Sequence, residues 1–466
     1  MNDRIVLINP PPEKLVEEYD APPYGHIGLA YLGAALRGRG FNCSILDAKL
    51  GRMSRGEVAG KVSDINPAIV GITSHTHEIK TAASLAQDIK RRVPGVKIVI
   101  GGIHASCLPL DTLRDFDCYD FLIKGEGEDA LIGLSDAVMN NREGAISAIP
   151  GLTYRRGHDV VSVPQGGWIT DLDRLPFPAW DLFPEIGIFP VMSSRGCPYK
   201  CIFCARMLGD SVRTRSPGNV ISELKFLTEK FGAKKIYFYD ETFGFYRKWL
   251  TEFLDLMISS GLGRRLTWGI TTRAQLIDTE ILKSLKEAGC RKVDFGVESG
   301  DERILKIIRK GETKEDFLRA ASLVKKAGIE SHAYFILGHP HETRESAMNT
   351  IDFAARLNTD HISLGIMVPY PGTEVARLAQ NGEGGYKKMS FNWADYNKQL
   401  ANALELESIS RAELTRLQLL GYLKFYVLNL KIAPFLAALF KYRKLILAIM
   451  AKYLKASAGE RTKGAA

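Results

Sequence analysis

The first 140 or so residues alternate between short apolar runs and segments in which apolar residues recur at helical spacing. Strands are predicted at residues 4–9, 42–47, 68–73, 97–101 and 120–124, and helices at 28–39 and 80–92. The strand segments are continuous Val- and Ile-rich runs, which is typical of a parallel sheet buried on both faces. The pattern therefore predicts a doubly wound, Rossmann-like α/β domain whose ligands bind at the carboxyl ends of the strands.

A second strand and helix alternation begins at Phe189. Strands are predicted at residues 189–193, 235–239, 266–271, 292–297, 331–337 and 361–368, and helices at 220–231, 246–259, 279–288, 314–327 and 344–357. Six β/α units in this length favour a partial parallel barrel, a (β/α)6 relative of the TIM barrel, over another open sheet. Functional residues of such a barrel lie at the carboxyl ends of its strands.

The two alternations divide the chain into an N-terminal domain at 1–145, a linker at 146–188, a barrel at 189–375 and a C-terminal helical region at 376–466. The linker is rich in Pro and Gly and is predicted to lie across a neighbouring domain rather than to fold alone. After Thr373 no further strand is predicted, and residues 411–455 have the pattern of a basic amphipathic helix.

The charge is concentrated at one end of the chain. The 466 residues are 45% hydrophobic and 25% charged, as in ordinary globular proteins, and carry a net charge of +9. From Arg411 onward there are eleven Lys or Arg residues and two Glu, so the body of the protein is neutral. This distribution argues against a nucleic-acid-binding body and instead describes a basic tail.

The basic tail has two interpretations. An amphipathic helix with Lys and Arg at its edges can lie on an anionic bilayer, which would suit a lipid-like substrate. The alternative is a helical cap over the barrel with its Lys side chains in water. No stretch approaches the roughly 20 apolar residues of a spanning helix. With no signal peptide apparent and dispersed thiols, the sequence predicts a cytoplasmic protein.

Three of the seven cysteines lie together as Cys197, Cys201 and Cys204, in a C-x3-C-x2-C spacing directly after a predicted strand. Three thiolates on one loop can hold three irons of a [4Fe-4S] cluster and leave the fourth iron open for catalysis. The alternative is structural zinc, but zinc in such sites takes four ligands and no nearby His or Cys supplies the fourth.

The loop from Ser194 to Cys204, SRGCPYKCIFC, resembles the cluster loop of the radical S-adenosylmethionine (SAM) enzymes. The resemblance continues along the strand ends from Phe189 to Glu374, including YDETF at 239–243, GVESG at 296–300 and FILGHPHET at 335–343. It implies that the cluster binds SAM at the open iron. His341, where that family more often has Gly, is a departure and is interpreted as a surface residue in preference to a substrate contact.

The same resemblance implies which residues contact SAM. The aromatic residue before the third cysteine would lie near the adenine, and the ends of the second to fifth strands would contribute acidic, basic and small residues. The predicted SAM-binding residues are Phe203, Asp240, Glu241, Arg273, Glu298, Ser299 and Gly338.

The N-terminal domain resembles the cobalamin-binding domain that precedes the barrel in many radical SAM enzymes. The motifs that carry this resemblance are PPP at 10–12, GLAYLGAAL at 28–36, GGIH at 101–104 and GEGE at 125–128. Glycine at strand ends permits close approach of a bulky ligand. The resemblance implies cobalamin-binding roles for Ser74, His75, Gly101, Gly102, His104, Gly125 and Glu126.

Details of the cobalamin site stay open. The D-x-H-x-x-G motif that ligates cobalt in other domains is absent, so the lower ligand is unassigned. His75 is the candidate to face the cobalt, and the alternative is that His75 and His77 are polar loop residues. Glu126 and Glu128 can be interpreted as an acid/base pair, but hydrogen bonding within the loop is favoured.

The resemblance implies a methyltransferase that acts on an unactivated carbon of a small-molecule or lipid-like substrate, through a 5′-deoxyadenosyl radical and methylcobalamin, with a flavodoxin- or ferredoxin-type reductant. The second interpretation keeps both cofactors in an oxidative cyclase or rearrangement enzyme without net methyl transfer. A third, a cobalamin sensor with a vestigial barrel, is disfavoured because the three cysteines are intact. A methylthiotransferase would need further clustered cysteines, which Cys43, Cys107 and Cys118 do not provide.

Overall fold

The computed structural model describes residues 3–12, 24–397 and 403–441. Its N-terminal sheet has seven strands in the order β2-β1-β3-β4-β5-β6-β7, of which the first five are parallel and the last two antiparallel. The strands are β1 Arg4–Asn9, β2 Asn42–Asp47, β3 Ile69–Thr73, β4 Lys97–Gly101, β5 Phe121–Ile123, β6 Leu152–Arg156 and β7 Asp159–Ser162. The five strands predicted for this domain are confirmed, to within a residue at either end.

Helices cover both faces of this sheet, as the uninterrupted apolar strands require. They are α1 Ile27–Gly38, α2 Arg55–Ile65, α3 Ile79–Arg92, α4 Ile103–Cys107, α5 Pro109–Asp115, α6 Glu128–Met139 and α7 Glu143–Ile146. Helices α1 and α6 pack together on one face, and α2 and α3 on the other. Each face has its own apolar core, with residues such as Leu7 on one side and Val6 on the other. The doubly wound fold is therefore confirmed.

The second sheet contains six parallel strands in the order β15-β14-β13-β12-β11-β8. The strands are β8 Phe189–Val191, β11 Lys235–Phe238, β12 Thr267–Thr272, β13 Cys290–Glu298, β14 Glu330–Leu337 and β15 His361–Ile366. Strands β8 and β15 do not pair with each other, so the barrel is open between them. This is the partial TIM-type barrel that the sequence predicts.

The helices of the barrel follow its strands and form the outer layer. They are α8 Pro217–Phe231, α9 Arg247–Ser259, α10 Leu262–Arg265, α11 Thr279–Glu287, α12 Glu302–Ile307, α13 Lys314–Ala327, α14 Arg344–Leu357 and α15 Glu374–Gln380. The sequence fixes their ends locally: α13 begins with a capping box between Thr313 and Asp316 and ends at Gly328, whose φ of 64° is accessible to glycine at little cost. One large apolar core joins these helices to the strands.

Three small strand pairs lie outside the predicted elements. The segment interpreted as a linker contributes the hairpin β6–β7, which extends the N-terminal sheet in the antiparallel sense. Strands β9 Ser194–Arg195 and β10 Arg213–Thr214 pair at the base of the cysteine loop. The expectation that strands stop after Thr373 is wrong, because β16 Tyr386–Met389 and β17 Leu404–Leu406 form an antiparallel pair. These strands are too short to produce a clear alternation in sequence.

The C-terminal region contains two helices, α16 Arg411–Leu428 and α17 Ile432–Lys441. The single amphipathic helix predicted over 411–455 is therefore interrupted after Leu428, and α16 is apolar on both its faces. The rest of that predicted helix, residues 442–455, lies outside the described residues. Within the described part of the chain, no helix is long and apolar enough to cross a membrane.

Candidate active site at the meeting of two sheets

The three clustered cysteines lie on the loop between β9 and β10, and all three are free thiols. The Cys197 sulfur is 3.6 Å from the Thr242 hydroxyl, the Cys201 sulfur is 3.7 Å from the Arg309 carbonyl oxygen, and Cys204 is exposed. Among the described residues, no three His, Cys, Asp or Glu side chains converge closely enough to hold a single metal ion. This arrangement disfavours mononuclear zinc and is compatible with a cubane, whose thiolate ligands are spread over separate irons.

The cysteine loop is held by the backbone of the barrel. Ile202 donates its N–H to the Ile308 carbonyl at 3.2 Å, and its own carbonyl accepts from Val375 N–H at 3.2 Å. Gly196 begins the loop with φ of 91°, and a Cβ there would lie 2.1 Å from the Ser211 carbonyl oxygen. Glycine is the residue that fits this turn, and the turn leads the chain into the loop that carries the three cysteines.

Protein packed around the loop, together with the neighbouring Cys201 thiol and the Glu298 carboxylate, raises the pKa of Cys204 to about 12. Burial also raises the pKa of the Cys201 thiol. Metal binding to such thiols must release their protons, so cluster assembly on this loop is expected to be coupled to deprotonation.

Asp240 and Glu241 follow β11 and differ in what they contact. The Asp240 carboxylate is buried and accepts from the Ser193 N–H at 2.8 Å and from the Ser194 hydroxyl at 2.7 Å. It therefore fixes the chain that leads into the cysteine loop. Glu241 is exposed at the end of its strand, and the surrounding protein raises the pKa of its carboxyl to about 7. Both stay predicted SAM contacts, with Glu241 the more accessible.

A buried charge network lies beside the cysteine loop. The Arg273 guanidinium is 3.0 Å from Glu312, and the Lys310 ammonium is 3.4 Å from Glu312 and 3.7 Å from Glu298. The Arg273 guanidinium also lies over the ring of Tyr199, 3.7 Å from its centre. The network thus joins two predicted SAM-binding residues, Arg273 and Glu298, through two residues that the sequence analysis missed. Lys310 and Glu312 carry no motif, and only their position opposite the strand ends identifies them.

Glu298 has an unusual backbone. Its φ is 70°, and it follows a break in the pairing register between β13 and β14. Its carboxylate lies over Gly296, where a Cβ would be 2.2 Å from the nearer oxygen. Burial raises the pKa of this carboxyl, while Lys310 opposes the shift. A strained residue held this firmly at a strand end is characteristic of functional positions.

Ser299 and Gly338 complete the predicted SAM set. The Ser299 hydroxyl is 3.0 Å from that of Thr350 and accepts from Asp301 N–H, so in this structure it contacts the protein. Gly338 has φ of 91° and its carbonyl accepts from the Tyr386 hydroxyl at 3.1 Å. Its N–H donates to the carboxylate of Glu342, which the sequence analysis had not singled out.

Two buried titratable groups lie behind Gly338. His339 is fully buried, its Nδ1 has no hydrogen-bond partner, and its ring is 6.1 Å from that of Phe203. Burial lowers the pKa of His339 to about 4 and raises that of Glu342 to about 8. Both groups are therefore uncharged at neutral pH, as their apolar surroundings require. The contact with His339 fixes one edge of the predicted adenine-side residue, Phe203.

The carboxyl edge of the N-terminal sheet brings together most of the predicted cobalamin residues. Ser74 N–H donates to the Gly101 carbonyl at 3.1 Å, and His104 N–H donates to the Ser74 carbonyl at 3.4 Å. Gly102 has φ of 91°, and a Cβ there would lie 2.8 Å from the Ser74 backbone. Glycine at this position is thus required by the protein's own packing. Gly125, with φ of 74°, is likewise crowded, by Gln165.

His75 is exposed at the end of β3, where it can meet a ligand, while its neighbours are held by ion pairs. Lys49 pairs with Glu78, and the His77 ring nitrogen is 3.6 Å from the same carboxylate. Glu78 also accepts from His75 N–H at 3.3 Å and so fixes the backbone of the candidate cobalt-facing residue. The buried Lys49–Glu78 pair was missed because its members are 29 residues apart.

His104 is buried and points into an aromatic contact. Its ring centre is 5.1 Å from that of Trp393, and Nδ1 has no hydrogen-bond partner. Burial lowers the pKa of His104 to about 4. An orphaned ring nitrogen is unusual in a protein interior and fits a site that a polar ligand completes.

Glu126 and Glu128 form ion pairs with the segment that leads into the cysteine loop. The Arg195 guanidinium is 2.8 Å from Glu126 and 2.6 Å from Glu128, and Arg213 is 3.0 Å from Glu126. Glu126 also accepts from Ile169 N–H at 2.8 Å. Both carboxylates are thus committed to contacts between the domains. This geometry supports the structural interpretation of the pair over the acid/base one, while a role of Glu126 at cobalamin stays a prediction.

The interior of the barrel is polar. Asp294 on β13 accepts from the hydroxyls of Tyr237 and Tyr334, each at 3.0 Å. On the next strands the His332 ring nitrogen is 2.9 Å from the Ser363 hydroxyl. These side chains share the inward face of their strands because alternate residues point the same way. The strands are predictable from their apolar runs, but the polar residues on their inward faces have no distinguishing pattern in the sequence.

Comparison with known proteins gives the same two-domain organisation. The family model described as the radical SAM superfamily matches residues 191–354, and the B12 binding domain model matches residues 19–135. An uncharacterized methyltransferase of Pyrococcus horikoshii is 32% identical over 91% of this chain and 92% of its own length. The anaerobic magnesium-protoporphyrin IX monomethyl ester cyclase of Cereibacter sphaeroides is 28% identical over 92% of this chain and 72% of its own length.

Among solved structures, the radical SAM methyltransferase TsrM of Kitasatospora setae, with cobalamin and a [4Fe-4S] cluster bound, has a TM-score of 0.71. The match covers 92% of this chain and 89% of that one at 20% identity, so it shows a shared fold. The matched domain models confirm the predicted cofactor set, a [4Fe-4S] cluster, SAM and cobalamin.

The residues described above fit these cofactors. The donor set for the cluster is three free thiols on one anchored loop, and the described residues contain no other group of three His, Cys, Asp or Glu side chains that could hold a metal ion. For cobalamin, the orphaned Nδ1 of His104 and the exposed residue His75 lie at the carboxyl edge of the sheet. For SAM, the exposed Glu241 and the strained Glu298 flank the thiols.

Proposed function

The chain belongs to the radical SAM enzymes that carry an N-terminal B12-binding domain, and on that premise we propose that it is a methyltransferase acting on an unactivated carbon of a small-molecule or lipid-like substrate. Methyltransferases recur among its relatives, including the one that is 32% identical and a bacteriochlorophyllide d C-8(2)-methyltransferase of Chlorobaculum tepidum at 26% identity. These relatives support net transfer of a methyl group as the proposed reaction.

The observation that carries the proposal is a set of contacts between the cysteine loop and the N-terminal domain. The Cys107 thiol of the N-terminal domain lies 3.5 Å from the sulfur of Met207 on the cysteine loop. Arg195, two residues before Cys197, pairs with Glu126 and Glu128 of the N-terminal domain. These contacts hold the cysteine loop against the N-terminal domain, which supports an arrangement in which one substrate would meet both cofactors.

In this site the protein supplies binding and orientation. When bound, the cluster and SAM supply hydrogen-atom abstraction, and the corrinoid supplies the methyl group. Cys197, Cys201 and Cys204 would hold the cluster, and Glu241 and Glu298 would receive the methionyl and ribose groups of SAM. In the balanced reaction a substrate C–H would become C–CH3. One SAM would give its methyl group and leave as S-adenosylhomocysteine, and a second would be cleaved reductively to methionine and 5′-deoxyadenosine, which carries the substrate hydrogen. The reductant would supply the two electrons that this stoichiometry requires.

The test is an anaerobic incubation of the reconstituted enzyme with cobalamin, reductant and methyl-deuterated SAM. The substrate source is a metabolite extract from cells that lack the gene, and the products are identified by mass spectrometry. We expect a new product with the heavy methyl group, formed together with 5′-deoxyadenosine. The variant Cys204→Ala is the control that should form neither. Formation of 5′-deoxyadenosine and an altered metabolite without the heavy methyl group would refute methyl transfer.

That last outcome would support a second candidate, an oxidative cyclase or rearrangement enzyme. The observation that favours it is the similarity to magnesium-protoporphyrin IX monomethyl ester cyclases, at 28% identity for that of Cereibacter sphaeroides and 30% for that of Rubrivivax gelatinosus. Both candidates use the same cofactors, so the label in the product distinguishes them.

We further propose that the enzyme works in the cytoplasm with a flavodoxin- or ferredoxin-type reductant. The thiols of the cysteine loop are free, as a reducing compartment would keep them. Reconstitution with a reduced flavodoxin or ferredoxin in place of a chemical reductant tests the donor, and the expected result is formation of 5′-deoxyadenosine at a comparable rate.

A further inference from the structure

Exposed apolar side chains are concentrated on the C-terminal helices. In the described part of the chain, thirteen large hydrophobic residues are exposed, and nine of them lie on α16, α17 and the turn between these helices. We call these nine the C-terminal apolar surface: Leu419, Leu420, Leu423, Val427, Leu428, Leu430, Ile432, Leu436 and Phe440. Exposed apolar side chains concentrated in this way on a folded protein indicate an interaction site.

The opposite side of α16 is already committed to the barrel. Leu414, Leu417 and Phe425 are buried against it. Gln418 donates its side-chain N–H to the Leu364 carbonyl at 2.7 Å, and the Tyr422 hydroxyl accepts from Leu364 N–H at 2.9 Å. These bonds satisfy the edge of β15, where the barrel is open. The interpretation of the region as a barrel cap therefore accounts for one side of α16 and leaves its other side unexplained.

The side of α16 that faces away from the barrel is apolar where a water-facing helix is normally polar. A helix that is hydrophobic all round is one that is covered on all sides. The helix α17 also has exposed apolar side chains, because Ile432, Leu436 and Phe440 are all more than half exposed. Among the described residues, no other element covers this surface.

The net charge of the C-terminal sequence indicates which partner would cover the C-terminal apolar surface. The chain from Arg411 onward has eleven Lys or Arg residues against two Glu, whereas the rest of the protein is neutral. Two copies of this chain meeting at the C-terminal apolar surface would bring two strongly basic tails together, which like-charge repulsion opposes. An anionic bilayer offers both an apolar interior for the Leu and Phe side chains and negative headgroups for Lys and Arg.

We propose that the C-terminal apolar surface docks the enzyme on the surface of an anionic bilayer, to which the net positive charge of the sequence from Arg411 onward attracts it. In this arrangement the apolar side chains insert between acyl chains. The helices lie in the interface and do not cross it, consistent with the lack of a spanning helix in the described residues. The inference does not depend on which reaction the active site performs.

The experiment is flotation of the full-length holoenzyme with vesicles of phosphatidylcholine alone or with about one-third phosphatidylserine, a fraction chosen to give an anionic surface. We expect the wild type to float with the anionic vesicles and to stay behind with the neutral ones. The variant Leu428→Ser/Ile432→Ser/Leu436→Ser should bind at least about tenfold more weakly, because binding strength scales with buried apolar area. The substituted residues are exposed, so the variant should melt as the wild type does.

The matched control is Phe391→Ser, which removes a side chain that is 71% exposed but lies outside the C-terminal apolar surface. It should float like the wild type. A charge-reversal variant, Arg443→Glu/Lys444→Glu, should lose binding to anionic vesicles. The proposal would be overturned if the wild type failed to float with the anionic vesicles. It would also be overturned if the triple Ser variant floated as well as the wild type. A wild-type dimer that the triple Ser variant converts to a monomer, with no flotation, would assign the surface to a second copy instead.

Discussion

The ion pairs between the two domains can be tested by removing one charge. Glu126 contacts both Arg195 and Arg213, and the side chains of these three residues are 5%, 6% and 9% exposed. In Glu126→Gln the amide still accepts a hydrogen bond but no longer neutralises the guanidinium groups. Breaking a buried pair in this way typically costs about 3 to 5 kcal/mol, because a charge is left buried without its partner.

The loss of unfolding free energy in Glu126→Gln should lie at the lower end of that range, about 3 kcal/mol, because Arg195 keeps its ion pair with Glu128 at 2.6 Å. At about 2 to 4 °C per kcal/mol for domains of this size, the transition that reports the N-terminal domain should fall by about 6 to 12 °C. Differential scanning calorimetry measures the shift, and the two domains are fitted as separate transitions because a multidomain protein need not unfold in one step.

The matched control is the pair between Asp129 and Arg174, one residue further along the same helix as Glu128. Its side chains are 60% and 43% exposed. Exposed pairs contribute about 0 to 1 kcal/mol, so Asp129→Asn should shift the transition by no more than about 4 °C. If Glu126→Gln and Asp129→Asn have equal effects, the reasoning from burial is wrong and the interdomain pairs do not stabilise the interface.

Three further predictions concern the cysteine loop and a buried histidine. Cys204→Ala should prevent cluster assembly, measured as loss of iron after anaerobic reconstitution, whereas Cys43→Ala should retain about four irons per chain. Gly196→Ala should also lose iron although all three cysteines remain, because its Cβ would lie 2.1 Å from the Ser211 carbonyl oxygen. In the control Gly187→Ala the new Cβ has no atom within 4 Å, so this variant should bind iron as the wild type does. For His104, the pKa of about 4 in the folded state lies below that of a histidine in the unfolded chain. As the pH falls, the unfolded state therefore binds the proton first, and the free energy of unfolding decreases between about pH 6.5 and pH 4. At pH 5 this amounts to about 2 kcal/mol, and His104→Phe should flatten the fall in urea unfolding measured at pH 7 and pH 5; an unchanged slope would contradict a buried neutral ring.

The barrel could be predicted from sequence because its signals are local. The strand His361–Ile366 and the helix Lys314–Ala327 are defined by runs of apolar residues and by capping residues within a few positions of each other. The cysteine spacing is equally local, and it located the loop without any knowledge of the fold. Elements of this kind are determined by neighbours in the chain.

What could not be predicted depends on residues far apart in the chain. The hairpin β6–β7 pairs with β5 because an open sheet edge is available there. Its short, half-exposed strands lack the alternation of apolar and polar residues that would predict them from sequence. The pairs of Arg195 with Glu126 and Glu128 span 69 and 67 residues, and the sequence left those carboxylates open between a chemical and a structural role. Lys310 and Glu312 gain significance only when the end of β12 places Arg273 beside them.

These long-range contacts have a common consequence for the active site. Arg195 lies two residues before Cys197, and its partners Glu126 and Glu128 follow β5, at the edge that the predicted cobalamin residues share. Asp240 fixes the chain just before Arg195 by accepting from Ser193 and Ser194. The position of the cysteine loop relative to the N-terminal sheet is therefore set by buried charges and hydrogen bonds. The proposed reaction, in which one substrate meets two cofactors in turn, needs that spacing to be constant, because small displacements of reacting groups reduce rates strongly.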